Sequence, residues 1–230
     1  MEDSRALREE MVAVCRRLYE RGLIAGPDGN VSVRLGNDLI LVTPSGMSKV
    51  DVRPDDLVVV GRDGMRVDGY REPSSEVYLH VRIYSCRSDV MAVVHAHPPC
   101  ATGFAVAGEG LEACVLPELV AQVGAVPLVP YATPGTYALP DQCEPFLEAH
   151  DALLLANHGA VTIGPSLVVA HQRMESLEHA ARIILVARLL GRVNELTPAQ
   201  AAALSSVRSR SVVPGADPEC SARENERGEE

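Results

Sequence analysis

The first hydrophobic positions of the chain recur at the spacing of a helix. Leu7, Met11 and Leu18 fall on one face of an α-helix, and Gly22 follows where such a helix would end. This pattern predicts a helix over residues 4–21.

Turn residues and short apolar runs replace this pattern after Gly26. The stretch DGNVSVRLGNDLILVTPSGM contains two strand-like segments separated by Gly36 and Asn37, an arrangement typical of a β-hairpin. A turn over residues 43–46 closes the hairpin, and the apolar run over 57–60 predicts a further strand.

The rest of the chain alternates between strand-like and helix-like patterns. The predicted elements are a helix that begins after Ser75, a strand over 91–95, helices over 98–106 and 117–122, a strand over 126–129, a helix over 136–147, a strand, turn and strand over 151–164, and a helix over 166–190. Because several strands are joined by hairpins, we expect an α/β protein with a mixed or mostly antiparallel sheet covered by helices.

Size and composition indicate one domain. The chain has 230 residues, 47% of them hydrophobic, which suffices to bury one sizeable core. From Ser205 onward apolar residues become scarce and Ser, Arg and Glu dominate. We therefore predict a domain over residues 1–204 and a disordered tail over 205–230.

The charge excludes some classes of partner. The net charge is −10 and the isoelectric point is about 5.2, so the chain repels polyanions, and neither nucleic acid nor an anionic membrane is expected to bind. The N-terminal stretch is too charged for a signal peptide, and no apolar run approaches the roughly 20 residues of a membrane span. The six cysteines contain no C-x-x-C pair. These features predict a cytoplasmic protein with reduced thiols.

Two histidines end the apolar strand in the stretch VVHAHPP. His95 and His97 are two residues apart, so both imidazoles point to one face of the strand and can converge on one point. Imidazole is a common ligand of Zn²⁺, but such a pair also occurs as half-buried, hydrogen-bonded histidines.

A third histidine and a carboxylate favour the metal interpretation. His158 lies at the tip of the turn NHGA, and Glu76 lies in PSSE at the start of a helix. Each has an ordinary structural explanation alone, as a turn residue and as an acidic residue at a helix N-terminus. Together the four residues provide the ligand set of a catalytic divalent metal, with zinc first and Mn²⁺ as another candidate.

Three short segments could together bind a phosphate group. They are Gly29-Asn30, TPSG at residues 43–46 and the pair Ser74-Ser75, each an ordinary turn or cap sequence by itself. Backbone amides, hydroxyls and a helix N-terminus can hold phosphate with little formal positive charge, which suits an acidic chain. Lys49, the only lysine, is expected to be solvated.

Six motifs in this order resemble the class II aldolase/adducin family. They are GNVSVR, TPSGM, PSSE, HAHPP, PYATPGT and NHGAVTIG, and the resemblance covers residues 5 to about 190. It implies a three-layer α/β/α domain around a mostly antiparallel sheet, assembled as a homotetramer with sites at subunit contacts.

The same resemblance implies the roles of individual residues. Zinc would be held by His95, His97, His158 and Glu76, with Glu76 also the catalytic base. The substrate phosphate would be bound by residues of the three short segments, namely Asn30, Ser45, Gly46, Ser74 and Ser75. The implied reaction is retro-aldol cleavage of a ketose 1-phosphate, similar to L-fuculose 1-phosphate, into dihydroxyacetone phosphate and an aldehyde.

Departures from the family pattern leave alternatives open. The family uses a tyrosine between the H-x-H pair and PYAT as proton donor, but here no tyrosine precedes Tyr131 in that region. Glu118 in LPEL is a substitute by position, although it also suits an ordinary helix start. Decarboxylation or dehydration of a phosphorylated sugar or sugar acid is therefore an alternative reaction. A non-catalytic adducin-like interaction module is less favoured, because the histidines and Glu76 are intact.

Overall fold

The computed structural model describes the backbone of residues 2–36 and 38–211 and the side chains of residues 5–36 and 38–204. The helices are α1 (Glu2–Glu20), α2 (Val77–Cys86), α3 (Pro99–Val106), α4 (Pro117–Gln122), α5 (Ala138–Leu147), α6 (Leu167–Leu189) and α7 (Pro198–Ser211). The strands are β1 (Asn30–Arg34), β2 (Ile40–Val42), β3 (Val58–Val60), β4 (Arg66–Asp68), β5 (Ala92–Ala96), β6 (Leu128–Val129), β7 (Ala152–Leu155) and β8 (Gly159–Gly164).

The strands form one eight-stranded sheet in the order β4-β3-β2-β1-β5-β8-β7-β6. Only the pairing of β6 with β7 is parallel among the described strands. The prediction of a mixed, mostly antiparallel sheet is therefore confirmed. Strand β5 lies in the middle of the sheet, between β1 and β8, so its C-terminal end is surrounded by protein.

The two faces of the sheet contribute side chains to two separate hydrophobic cores. On one face, Val31 and Val94 join the apolar sides of α1, α3 and α6. On the other face, Val93 and Val161 join those of α2 and α5. Because successive strand residues point to opposite faces, the complete burial of β5 shows that both faces of the sheet are covered there. The predicted three-layer α/β/α architecture follows from this arrangement.

Most predicted elements are present with small shifts of their ends, and three elements were missed. The missed elements are a 3-10 turn at Pro54–Asp56, the edge strand β4 and helix α7. All residues of β4 are exposed, so they lack the buried alternation that marks a strand in sequence. Helix α7 continues to Ser211, while residues 212–230 of the predicted tail lie outside the described residues. The domain boundary at 204 stays a prediction.

The cysteines differ in part from the prediction of reduced thiols. Cys15, Cys86, Cys100 and Cys143 are free, but Cys114 is disulfide-bonded, so the prediction is wrong for Cys114. Spacing alone carries no information about pairing between distant cysteines. In the part of the chain that the structure describes, no helix has the length and apolar content needed to cross a membrane.

Candidate metal centre

Three imidazoles converge at the C-terminal end of β5. His95 is the penultimate residue of β5, His97 follows the strand, and His158 lies in the turn between β7 and β8. Their ligand nitrogens all lie within 4.8 Å of one another, and Nε2 of His97 is 3.1 Å from Nε2 of His95. The antiparallel pairing of β5 with β8 places the turn beside the strand end, as the predicted metal site requires.

Glu76 closes the fourth side of this cluster. Its Oε2 lies 3.2 Å from Nε2 of His95, and its Oε1 lies 3.2 Å from Nε2 of His158. Glu76 directly precedes α2, which packs on one face of the sheet, and this position places the carboxylate next to the C-terminal end of β5. The structure therefore brings together all four residues that the sequence nominated as metal ligands.

Gly159 makes room for the imidazoles. A Cβ at this position would lie 2.6 Å from the carbonyl oxygen of Ala96, 2.6 Å from Cδ2 of His97 and 3.3 Å from Cε1 of His95. The positive backbone φ in this turn belongs to Asn157, at 56°. Glycine is therefore needed after His158 for close approach and not for a left-handed conformation.

Neighbouring acceptors orient two of the histidines. Nδ1 of His95 is 2.9 Å from the carbonyl oxygen of Ala160, which accepts its N–H and leaves Nε2 free as a ligand. Nδ1 of His97 faces Oδ2 of Asp28 at 3.5 Å. Such acceptors behind a histidine fix the ring and its tautomer at metal sites.

The charges of the cluster balance one another in the metal-free protein. Burial alone would raise the pKa of Glu76, but the facing His95 lowers it well below its usual range. Burial would lower the pKa of His95, but the Glu76 carboxylate raises it. Burial and the charge on His95 lower the pKa of His158 to about 4. His158 is therefore neutral near pH 7, the form in which imidazole binds a metal.

The donor set fits a divalent cation. Oε1 of Glu76 and Nδ1 of His158 are buried side-chain atoms without a hydrogen-bond partner, although Oε1 is close to the His158 ring. Three imidazole nitrogens and one carboxylate oxygen match the ligand types and number of a four-coordinate tetrahedral zinc site. The metal interpretation of His95 and His97 is thus favoured over two ordinary buried histidines.

The predicted phosphate segments lie side by side next to Glu76. The amide of Ser45 donates to the carbonyl of Glu72, and the amide of Ser74 donates to the carbonyl of Thr43. These bonds join the TPSG turn to PSSE. Gly46 has a φ of 69°, a conformation that suits glycine. Ser75 is exposed, whereas Ser74 is buried and its Oγ accepts from the amide of Glu76.

Asn30 directly contacts Glu76 in the candidate metal centre. Its side-chain amide donates to Oε2 of Glu76 at 2.8 Å, and the residue is buried. The sequence assigned Asn30 to the phosphate, so a contact with the carboxylate was not foreseen. One N–H of the Asn30 amide donates to Glu76. Binding of the substrate phosphate by the second N–H stays a prediction.

Lys49 differs from its expected solvated state. It is 2% exposed, and its ammonium group donates to the carbonyls of Pro27 and Met47 at 2.7 and 3.0 Å. The expectation was wrong because these two carbonyls, which are distant from each other in sequence, form a polar pocket only in the fold. The buried lysine joins the loop before Asn30 to the loop after Gly46.

Glu118 is exposed in the first turn of α4. In the part of the chain that the structure describes, no hydrogen bond or ion pair connects it to Glu76 or to the histidines. Its role as a catalytic acid stays a prediction.

His80 was not identified from the sequence. This residue is fully buried, and its Nε2 forms a short hydrogen bond with Oδ1 of Asn30. The available signal was its position four residues after Glu76, which places both on one face of α2.

The eight-stranded sheet with two helical layers and the cluster at its centre define the class of this protein. The family model of the Class II Aldolase and Adducin N-terminal domain matches residues 9–185, and the chain belongs to this family. The resemblance seen in the sequence motifs is confirmed.

Relatives within the family have more than one reaction in their names. The chain is 34% identical to 5-deoxy-D-ribulose 1-phosphate aldolase of Bacillus thuringiensis, over 80% of this chain and 86% of the relative. It is 35% identical to 3-oxo-tetronate 4-phosphate decarboxylase of Escherichia coli, over 79% and 87%. A solved structure of L-fuculose 1-phosphate aldolase superposes with a TM-score of 0.83 at 31% identity, over 90% of this chain and 97% of that one.

Proposed function

We propose that this protein is a metal-dependent lyase that cleaves a ketose 1-phosphate into dihydroxyacetone phosphate and an aldehyde. The observation that carries the proposal is the convergence of His95, His97, His158 and Glu76 next to the Ser74-Ser75 pair. A metal centre and a phosphate site this close together suit a small phosphorylated substrate whose reacting carbons lie near its phosphate.

The histidines and Glu76 would hold zinc or another divalent cation such as Mn²⁺. When bound, the cation supplies Lewis-acid stabilisation of the negative charge that develops on the substrate oxygens. Ser45, Gly46, Ser74 and Ser75, with Asn30, would bind the phosphate and so fix the distance from the phosphate to the reacting carbons.

Glu76 would move the proton at the reacting carbon. In the cleavage direction the C4 hydroxyl loses its proton, and the electron pair of the C3 to C4 bond passes to the dihydroxyacetone phosphate half. Glu76, after taking up a proton from solvent, would then deliver it to C3 of that half. In the reverse direction the same carboxylate removes this proton. Its hydrogen bond from Asn30 holds one oxygen, and Oε1 has no hydrogen-bond donor of its own.

Proton exchange tests the proposal without knowledge of the aldehyde. Zinc-loaded protein is incubated with dihydroxyacetone phosphate in D₂O, and loss of the proton signal is followed by NMR, with Glu76→Gln as the matched control. We expect exchange by the wild type and none by Glu76→Gln with zinc retained. No exchange by wild-type protein that holds zinc would refute the aldolase proposal.

A second experiment distinguishes metal catalysis from Schiff-base chemistry. Lys49 is the only lysine, and its buried ammonium group donates to two backbone carbonyls. We therefore expect a chelator to abolish exchange, and borohydride added with dihydroxyacetone phosphate to leave the mass of the protein unchanged. A covalent adduct on Lys49 would contradict the metal mechanism.

Glu118 is proposed as the group that transfers the proton at the aldehyde oxygen. This step belongs to carbon-carbon bond cleavage and not to proton exchange on dihydroxyacetone phosphate. Glu118→Gln should therefore slow cleavage but leave exchange intact, whereas the exposed Glu148→Gln should change neither. Equal cleavage rates in Glu118→Gln and the wild type would remove Glu118 from the mechanism.

Decarboxylation of a phosphorylated oxo sugar acid is the second candidate. The 35% identity to 3-oxo-tetronate 4-phosphate decarboxylase is close to the 34% identity to 5-deoxy-D-ribulose 1-phosphate aldolase, and this similarity supports the second candidate. Release of CO₂ from a 3-oxo acid 4-phosphate, by protein that does not exchange protons on dihydroxyacetone phosphate, would support it over the aldolase. Dehydration of a ketose 1-phosphate would be tested in the same way, with the ketose 1-phosphate as substrate and loss of water as the measured reaction.

Assembly and location complete the proposal. A homotetramer is supported by membership of the family, and mass measurement in solution tests it. A cytoplasmic location is proposed from the acidic composition and from the four free cysteines that the structure describes. An adducin-like interaction module is disfavoured by the intact ligand set, and protein that neither binds zinc nor gains thermal stability from it would revive that alternative.

A further inference from the structure

A stripe of polar residues on α2 faces a polar pair on β1. Glu76, His80 and Tyr84 are spaced four residues apart, so they lie along one side of the helix and the turn that precedes it. Asn30 and Ser32 are two residues apart on β1 and point to the same face of the sheet. All except Glu76 are almost completely buried between the helix and the sheet.

These five residues form one continuous chain of hydrogen bonds. The hydroxyl of Tyr84 lies 2.8 Å from Oγ of Ser32, which lies 2.6 Å from Nδ1 of His80. Nε2 of His80 is in close contact with Oδ1 of Asn30, and Nδ2 of Asn30 lies 2.8 Å from Oε2 of Glu76. The chain thus begins in the core and ends on the carboxylate at the metal centre.

The chemistry of its ends fixes the direction of every bond. An ionised carboxylate only accepts, so the amide nitrogen of Asn30 must face Glu76 and its oxygen must face His80. Nε2 of His80 must then carry the proton, and its Nδ1 must accept from the hydroxyl of Ser32. The hydroxyl of Tyr84 donates in turn to Ser32, and burial raises the pKa of Tyr84, which keeps that proton in place.

His80 stabilises the orientation of the Asn30 amide that Glu76 requires. The two ends of an asparagine amide have the same shape, so a neighbouring donor or acceptor must select between them. If His80 offered an acceptor, the amide would turn its oxygen toward the Glu76 carboxylate, with repulsion between the two. Burial lowers the pKa of His80 to about 3, so the ring remains neutral with one N–H.

We infer that His80 is a positioning residue for Glu76, which it holds in place through Asn30 by presenting an N–H at Nε2. This inference rests on the proposed role of Glu76 in proton transfer. His80 lies outside the candidate metal centre and is connected to Glu76 through Asn30. Its effect is to fix the direction in which Asn30 donates, and so the direction in which the carboxylate lone pairs point.

The tautomer of His80 tests the inference without any measurement of activity. Protein labelled with ¹⁵N-histidine is studied by NMR, and the His80 signals are identified by their absence from His80→Gln. We expect a neutral ring protonated at Nε2 near pH 7, in zinc-free and zinc-loaded protein. A ring protonated at Nδ1 would overturn the inference, even if the wild type proved to have no lyase activity.

Substitutions at His80 test its effect on Glu76. His80→Leu removes the N–H, whereas the side-chain amide of His80→Gln can still donate to Asn30. We expect His80→Leu to lower kcat for proton exchange by about 10- to 100-fold, the usual effect of losing a group that orients a catalytic or ligand residue, with little change in KM. His80→Gln should recover most of this loss.

His171 provides the matched control for loss of a buried histidine. It is 2% exposed on α6 and makes a long contact with Glu175, away from the chain that ends on Glu76. His171→Leu should lower thermal stability and leave kcat unchanged. Folded His80→Leu protein with the kcat of the wild type, or equal kcat losses in His80→Leu and His80→Gln, would overturn the inference.

Discussion

Gly159 and His97 approach so closely that a Cβ on the glycine would lie 2.6 Å from Cδ2 of the histidine ring. The same Cβ would lie 2.6 Å from the carbonyl oxygen of Ala96, which belongs to the central strand and cannot easily move. The arrangement of the three histidines therefore depends on a residue that has no side chain and cannot itself bind a ligand.

Gly159→Ala should displace His97 and weaken zinc binding. We expect a loss of stability of about 1–3 kcal/mol from overpacking and at least a tenfold weaker affinity for zinc. The control is Gly103→Ala in α3, where nothing lies within 4 Å of the added Cβ and helix propensity favours alanine by about 1 kcal/mol. Zinc titration and urea unfolding of both variants check the prediction, which fails if Gly159→Ala binds zinc like the wild type.

His95→Ala and His97→Ala should lose metal and activity together. Because zinc binds the folded protein, a hundredfold excess over its dissociation constant should stabilise the wild type by about 2.7 kcal/mol. Each variant should lose most of this gain, whereas His171→Ala, which lacks another buried histidine, should keep it. Full zinc occupancy in either His95→Ala or His97→Ala would refute the assignment of that ligand.

Lys49→Met should destabilise the protein although it replaces a buried charge by an apolar side chain. It leaves the carbonyls of Pro27 and Met47 without their donor, and an unsatisfied buried polar group costs about 1–3 kcal/mol. Arg5→Met, which removes an exposed cation from α1, should change the free energy of unfolding by only about 0.5 kcal/mol. A variant at Lys49 as stable as the wild type would show that burial of the lysine costs as much as its hydrogen bonds contribute.

Acid should destabilise the metal-free protein before its carboxylates are protonated. Burial lowers the pKa of His80 to about 3 from its usual 6.5, so between these values the unfolded chain binds a proton that the folded protein does not. The stabilisation from the neutral ring is fully present above pH 6.5 and decreases as the pH falls, and His158 acts in the same direction. His95, whose pKa is raised by the Glu76 carboxylate, acts in the opposite direction: its contribution to stability grows as the pH falls from 7 through 6.5 and stays constant below that range.

Urea unfolding in EDTA between pH 7 and pH 5 measures this effect. The free energy of unfolding should fall toward pH 5, and the slope should be shallower in His80→Gln, which has no titrating group at this position. Identical slopes in the variant and the wild type would mean that His80 titrates normally in the folded protein.

The periodicity of the sequence predicted a mixed or mostly antiparallel sheet covered by helices, because burial imposes a local pattern of apolar residues. The three-layer α/β/α arrangement was implied by the resemblance to the family. β5 reads as a continuous apolar run since both of its faces are covered, and α1 has an apolar face at helical spacing. The exposed β4 has no such pattern, so the sequence did not predict a strand at this edge of the sheet. Lys49 was misjudged for a related reason, because charge alone predicts solvent and only the fold supplies two carbonyl acceptors.

The sequence by itself determined the family and the mostly antiparallel sheet, because motif order and local periodicity can be read along the chain. It also predicted a metal site formed by His95, His97, His158 and Glu76. The tertiary structure alone decided how these residues are held. Gly159 is needed for space, and Asn30 is turned toward Glu76 by His80, because both effects depend on atoms that meet only when β1, β5, β8 and α2 pack together. Spacing in a sequence can place side chains on one face, but the direction of a hydrogen bond is set by the partner across the layer.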